Sequence, residues 1–104
     1  MRIAVCPGSF DPITVGHLDL VERAAAIFDR VVVCVMVNGE KHPMFTLEER
    51  LEMIRGAVAH MPGVEAAVCG GLLADFARER GAAALVKGAR SSADFDWEFQ
   101  MAQI

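Results

Sequence analysis

Cys6-Pro7-Gly8-Ser9-Phe10-Asp11-Pro12-Ile13-Thr14-Val15-Gly16-His17 follows the short apolar run Arg2 to Val5. A buried strand gives way here to a turn punctuated by glycine and proline. A helix then opens near Thr14, with a histidine in its first turn. A helix N-terminus presents backbone N–H groups and a positive dipole end, which together form an anion site. Gly8 lets the backbone approach a ligand closely, Ser9 supplies a hydroxyl, and His17 can donate a ring N–H to a phosphate oxygen. The same residues also fit a strand-turn-helix in which His17 is only a cap. Neither G-x-G-x-x-G nor G-x-x-x-x-G-K-[ST] occurs, so a phosphate site here is not a dinucleotide fingerprint or a Walker loop.

Outward from this stretch, strand alternates with helix. Arg2 to Cys6 reads as a first strand, continuous and apolar, suited to a sheet covered on both faces. The spacing predicts a helix from about Val15 to Phe28, with Leu18, Val21, Ala25 and Phe28 on one face. Val31 to Val37 (V-V-V-C-V-M-V) is the most strand-like run and is expected at the centre of the sheet. Asn38 to Phe45 is a polar loop. Thr46-Leu47-Glu48-Glu49 then reads as a capping box that opens a helix through Leu51, Ile54 and Val58. Val64 to Val68 is expected as a strand, and Leu72 to Arg80 as a short helix stopped by Gly81. Ala83 to Val86 reads as a fourth strand, and Ser91-Ser92 as the cap of a last helix starting near Ala93. The pattern implies an α/β protein with a Rossmann-like parallel sheet, order about 3-2-1-4, and helices on both faces. No linker or repeat interrupts residues 1–104, so a single domain is expected.

The bulk numbers set limits on function. With 54% hydrophobic and 23% charged residues the chain is globular rather than disordered. A net charge of −4 gives no basic stripe for nucleic acid, so a phosphate site must be local. Cys6, Cys34 and Cys69 lack zinc-like spacing, which predicts reduced thiols and a cytoplasmic protein. The chain opens on a strand and has no apolar run near 18 residues. Neither a signal peptide nor a membrane span is therefore expected.

In an open parallel sheet ligands sit beyond the carboxyl ends of the strands, where strand order reverses. Strands one and four flank that point. Ser9 and His17 follow the first, while Lys87, Gly88 and Arg90 follow the fourth. Lys41, after strand two, can reach the same edge. Of ten basic residues only two are lysines, Lys41 and Lys87, and both fall at strand ends. Lysines also favour loops in general. Arg50, Arg55, Arg78 and Arg80 lie on helices and read as solvated surface charges, and His42 and His60 as ordinary surface residues.

The stretch from Pro7 to His17 resembles the [ST]-F-D-P-x-T-x-G-H signature of the bacterial phosphopantetheine adenylyltransferase family, within the H/T-x-G-H nucleotidyltransferases. Lys41 to Arg50 (K-H-P-M-F-T-L-E-E-R) resembles that family's K-x-x-M-F-T-L-E-E-R, and Leu72 to Ala77 its L-x-x-x-F-A. Lys87-Gly88-Ala89-Arg90 with Asp94-Phe95-Asp96-Trp97-Glu98 resembles R-G-L-R-x-x-x-D-F-E-Y-E. Three departures stand out: Lys87 for arginine, which replaces a bidentate fork with a point charge, Ala89 for leucine, and Trp97 for tyrosine. The family is also longer, with a later I-S-S-S segment that helps bind nucleotide phosphates, so the resemblance implies that a C-terminal third is missing from this chain.

The resemblance implies adenylyl transfer from ATP to 4′-phosphopantetheine, with Mg2+ accompanying ATP. It implies catalytic roles for His17, Lys41 and Arg90. ATP would be held by Ser9, Phe10, His17, Gly88, Ala89, Arg90 and Glu98, and the acceptor by Ser9, Lys41, Leu73 and Lys87. No carboxylate cluster marks a protein metal site. A homo-oligomer is implied, hexameric in the family, with no nucleic-acid or membrane partner. Another nucleotidyltransferase acting with CTP or nicotinate mononucleotide, a non-catalytic nucleotide-binding fragment, and a flavodoxin-like or structural α/β module are the competing readings. The last of these leaves both basic clusters unexplained.

Overall fold

The structure is a computed structural model that describes residues 1–37, 42–90 and 95–101, with 87–90 and 95–101 described as backbone. Strands β1 (Ile3–Gly8), β2 (Arg30–Met36), β3 (Val64–Cys69) and β4 (Ala84–Arg90) alternate with helices α1 (Val15–Ile27), α2 (Leu47–Ala57) and α3 (Leu73–Glu79). A last strand, β5 (Phe95–Met101), follows β4. The sheet order is β3-β2-β1-β4-β5. The first four strands are parallel, as expected, and β5 runs antiparallel to β4.

β2 lies between β1 and β3, and Val31 through Val35 are all buried. That placement explains why its sequence is apolar without alternation: both faces are covered. On one face Ala4, Cys6, Val31, Val33 and Val35 pack with Leu20, Val21 and Ala24 of α1 and Ile54 of α2. On the other, Val5, Val32 and Cys34 pack with Ala77 of α3, and Leu73 and Phe76 lie against them half-buried. Helices therefore cover both faces. Full burial of a valine side chain contributes about 1.5–3 kcal/mol, so the β2 run is a large part of what holds the layers together.

Local signals account for the helix ends. In α2, Thr46 Oγ1 accepts the Glu49 N–H and Glu49 Oε1 accepts the Thr46 N–H, the reciprocal capping box expected from the sequence. Gly81, just past α3, has φ +68°, a conformation that glycine adopts without the steric cost of a Cβ. In α1 the inward residues are Leu20, Val21 and Ala24, while Leu18 and Ala25 are only partly buried.

The C-terminal end departs from expectation: the fourth strand runs on through Lys87 to Arg90 where it was expected to stop at Val86, because pairing with β5 extends it. The last helix is replaced by β5, paired along its length with β4 from Ala84–Met101 to Arg90–Phe95. Phe95, Trp97, Phe99 and Met101 alternate with Asp96, Glu98 and Gln100, and that period of two is a strand pattern. β4 is consequently an inner strand, bounded by β1 and β5, and not a sheet edge. Among the described residues, no helix is long and apolar enough to cross a membrane.

Candidate active site at the carboxyl edge of the sheet

β1 ends at Gly8, and the chain turns through Ser9–Thr14 into α1. Phe10 holds this turn. It has φ +47°, is 3% exposed, and lays its ring over Gly8. A Cβ on Gly8 would stand 3.1 Å from Phe10 Cε2 and 3.2 Å from Cζ. The missing side chain at Gly8 thus makes room for Phe10, where the sequence suggested room for a ligand. The Phe10 ring meets the His17 ring edge-on, with centroids 5.0 Å apart at 70°.

His17 is the third residue of α1 and closes a capping box with Thr14. Thr14 Oγ1 accepts the His17 backbone N–H at 3.3 Å, and His17 Nδ1 accepts the Thr14 backbone N–H at 3.0 Å. The Thr14 hydroxyl also lies 3.0 Å from Nδ1. An Nδ1 that accepts a backbone N–H carries no proton, so the neutral ring holds its proton on Nε2. His17 fills in α1 the position that Glu49 fills in α2. The two readings of the histidine, cap and phosphate donor, are thus compatible: one ring nitrogen caps the helix and the other is a donor. The helix start supplies further N–H groups and the positive dipole end beside it.

Asp11 and Arg50 brace this turn. The Asp11 carboxylate accepts the Met44 N–H at 2.5 Å and the Phe45 N–H at 2.7 Å, tying the segment that enters α2 to the β1–α1 turn. Arg50 is 3% exposed, not the solvated surface charge expected. Its Nη1 donates to the Ser9 carbonyl at 3.1 Å and its Nε to the Thr46 carbonyl at 3.4 Å. Ser9 therefore has its backbone anchored while its side chain faces solvent. Helical spacing could have revealed Arg50, because it lies on the stripe defined by Leu47 and Ile54. For Asp11 the only local signal was an aspartate in a Pro-containing turn, a residue type that captures backbone N–H groups. Its partners are 33 and 34 residues away, and no local signal names them.

The fourth strand brings the second cluster alongside. Parallel pairing of β1 with β4 ends at Val5 and Leu85, although β1 runs on to Gly8 and β4 to Arg90. Pairing stops there, at the point where strand order reverses, which is where ligands sit in an open parallel sheet. Lys87, Gly88, Ala89 and Arg90 are the carboxyl-terminal residues of β4. Glu98 lies on β5 opposite Lys87 in the antiparallel register. Lys41 falls outside the described residues. Leu73 opens α3 and is half-buried against the Val5–Val32 layer, whereas its neighbour Leu72 is 71% exposed.

The two buried thiols of β1 and β2 do not supply a nucleophile. Burial pushes Cys6 up to about 12, and Cys34 is likewise pushed up to about 12, by burial first and then by neighbouring Cys69. Such thiols stay protonated at neutral pH. Among the described residues, no three His, Cys, Asp or Glu side chains converge to hold a metal ion. What the edge presents is a helix N-terminus, an imidazole Nε2–H, a serine hydroxyl and a basic strand end, groups suited to orienting phosphates.

A cytidylyltransferase-like family model matches residues 5–103. The phosphopantetheine adenylyltransferase of Symbiobacterium thermophilum is 57% identical over 97% of this chain and 62% of its own length. That of Heliobacterium modesticaldum is 57% identical over 98% of this chain and 61% of its own. The chain thus spans somewhat under two thirds of the curated relatives it matches. The crystal structure of a lipopolysaccharide core biosynthesis protein from Thermoplasma volcanium superposes with TM-score 0.69 at 24% identity, covering 90% of this chain and 80% of that one. This last likeness concerns the fold.

Proposed function

The chain belongs to the cytidylyltransferase-like family, and from that premise we propose that the protein transfers an adenylyl group from ATP to the phosphate of 4′-phosphopantetheine. An acceptor phosphate oxygen attacks the α-phosphorus, the bond from that phosphorus to the bridging oxygen breaks, and pyrophosphate leaves. The products are dephospho-coenzyme A and pyrophosphate. The acceptor is already an anion at neutral pH, so the step requires no serine or cysteine nucleophile and no general base. It requires two anions held in line and stabilisation of the charge that develops around the α-phosphate.

The observation that carries this reading is the His17 capping box. It fixes the imidazole at the helix N-terminus with its proton on Nε2, aimed by Phe10 and Thr14. A donor held before substrate arrives pays no reorganisation cost when charge develops. His17 and Arg90 would bind the transferring phosphate, and Lys41 and Lys87 the acceptor phosphate. Ser9 would touch both. Gly88, Ala89 and Glu98 would hold the nucleotide with Phe10 backing it, and Leu73 would contact the pantetheine arm. The choice of acceptor rests on the relatives' names and on the Lys41-to-Arg50 segment. Magnesium would arrive with the ATP phosphates; the described residues offer it no carboxylate set, and no step above runs through it. The natural setting of this reading is a homo-oligomeric cytoplasmic enzyme.

The test is a substrate panel on the intact enzyme, scored by pyrophosphate release. ATP with 4′-phosphopantetheine should turn over. CTP in place of ATP, or unphosphorylated pantetheine in place of the acceptor, should be slower by at least about 10²-fold, since a built polar site rejects an analogue that leaves its groups unpaired. CTP turning over as fast as ATP would assign the site to cytidylyl transfer instead.

A further inference from the structure

Three sulfur atoms gather on the face of the sheet that α3 covers. Cys34 and Met36 are two residues apart on β2 and share a face. Met36 is paired with Cys69 across the parallel β2–β3 ladder, so Cys69 lies on that face too. All three belong to the apolar layer beneath α3. Cys34 Sγ is 3.9 Å from Met36 Sδ, and Cys69 is the direct register partner of Met36, two residues along from that of Cys34.

From this cluster we propose that Cys34, Met36 and Cys69 form a three-sulfur site for a soft monovalent cation of the copper(I) or silver(I) kind. Two thiols and a thioether are the donor set that soft cations select over harder ones. The geometry agrees. With metal–sulfur bonds of about 2.3 Å, a trigonal site separates its sulfurs by about 4.0 Å, and the Cys34–Met36 separation is 3.9 Å before any cation is added. A disulfide fits less well. Cys34 and Cys69 are offset by two residues across neighbouring strands, which places their Cα atoms about 8 Å apart, beyond the usual disulfide span.

The site has an entrance and a source of charge balance. Cys69 lines an open cleft of 340 Å³ between β3 and α3, together with Val68, Gly70, Gly71, Leu72 and Phe76. Its own thiol hydrogen-bonds the Gly71 carbonyl at 3.5 Å. On binding, each thiol releases its proton to solvent. Two thiolates around one monovalent cation leave a single negative charge; Arg80, ion-paired with Glu65 at 2.9 Å, is the nearby cation.

The test is silver(I) titration of the intact, reduced protein, followed by mass spectrometry of the native complex and by thermal unfolding. The wild type should take one silver ion more tightly than any other and melt at a higher temperature with it. Cys34→Ser and Cys69→Ser should each lose that ion, while Cys6→Ser, on the opposite face, should keep it. Met36→Leu retains the core volume and should weaken binding about tenfold or more. The proposal is overturned if the ion persists in the Cys34→Ser/Cys69→Ser double variant. It is equally overturned if Met36→Leu, still folded by circular dichroism, binds silver as tightly as wild type, or if diamide closes a Cys34–Cys69 disulfide in the folded protein.

Discussion

Asp11→Asn isolates the brace between the β1–α1 turn and the segment leading into α2. In the native structure one carboxylate accepts two backbone N–H groups, Met44 at 2.5 Å and Phe45 at 2.7 Å. Hydrogen bonds to a charged group contribute about 1.5–3 kcal/mol each. Asparagine keeps one acceptor oxygen and turns an NH2 donor toward the second N–H, so one bond survives in weakened form and the other becomes donor against donor. Met44 is exposed, and water replaces part of what is lost there. The net loss is about 2 kcal/mol, which corresponds to about 30-fold lower hydrogen-exchange protection at the Met44 and Phe45 amides. Residues 42–46 follow Lys41 directly, so KM for 4′-phosphopantetheine should rise several-fold while KM for ATP stays near the wild-type value. Unchanged protection at both amides would refute the brace. Equal rises in the two KM values would refute the claim that it serves the acceptor side.

Gly8→Ala places a Cβ 3.1 Å from the Phe10 ring. The displaced ring should cost about 1–3 kcal/mol and lower kcat by disturbing His17; adding Phe10→Leu should restore much of the stability but not the rate, as measured by melting and turnover. Arg50→Met leaves the Ser9 and Thr46 carbonyls without the guanidinium and should cost about 1–3 kcal/mol, a fall of roughly 4–8 °C in Tm per kcal/mol. Arg50→Lys should rescue it poorly, because a point charge cannot span both carbonyls. Stability should also fall at alkaline pH. The Cys6 and Cys34 thiols are raised to about 12 in the folded state against 9.0 for a free thiol. Below pH 9 both states are protonated and the full stability is present. Between 9 and 12 only the unfolded chain ionises, and each thiol removes about 1.4 kcal/mol per pH unit. The chain has no tyrosine to blur that limb. Denaturant melts at pH 8, 9.5 and 10.5 should show it, and Cys6→Ala should flatten the slope by about half.

The parallel core was legible because each of its signals is local. Val31 to Val37 is apolar without alternation, Thr46 and Glu49 stand at capping-box spacing, and Gly81 falls where α3 must stop. The placement of Ser9 and His17 after β1, next to the strand that carries Lys87 to Arg90, followed from the crossover rule and the strand order, although β4 contains Lys87 to Arg90 and does not end before them. The alternation over Phe95–Met101 is also local, yet a helix was expected there because Ser91-Ser92 reads as a cap. In a strand the apolar residues are simply every second residue. Asp11 and Arg50 were less accessible. Their partners lie 33 to 41 residues away in sequence, and contacts at that range exist only once the sheet has assembled. The role of Gly8 was misread for a related reason: its neighbour in space is Phe10, a residue whose positive φ no local rule anticipates.

The central claim is that His17 stabilises the transferring phosphate through Nε2–H while its Nδ1 caps α1. The most direct measurement is steady-state pyrophosphate release from ATP and 4′-phosphopantetheine by the intact enzyme and by its His17→Ala variant. Loss of one preorganised donor to the transition state should lower kcat by about 10²–10³-fold with little change in either KM. A kcat within about threefold of wild type, with only the melting temperature reduced, would show that His17 is a helix cap and nothing more.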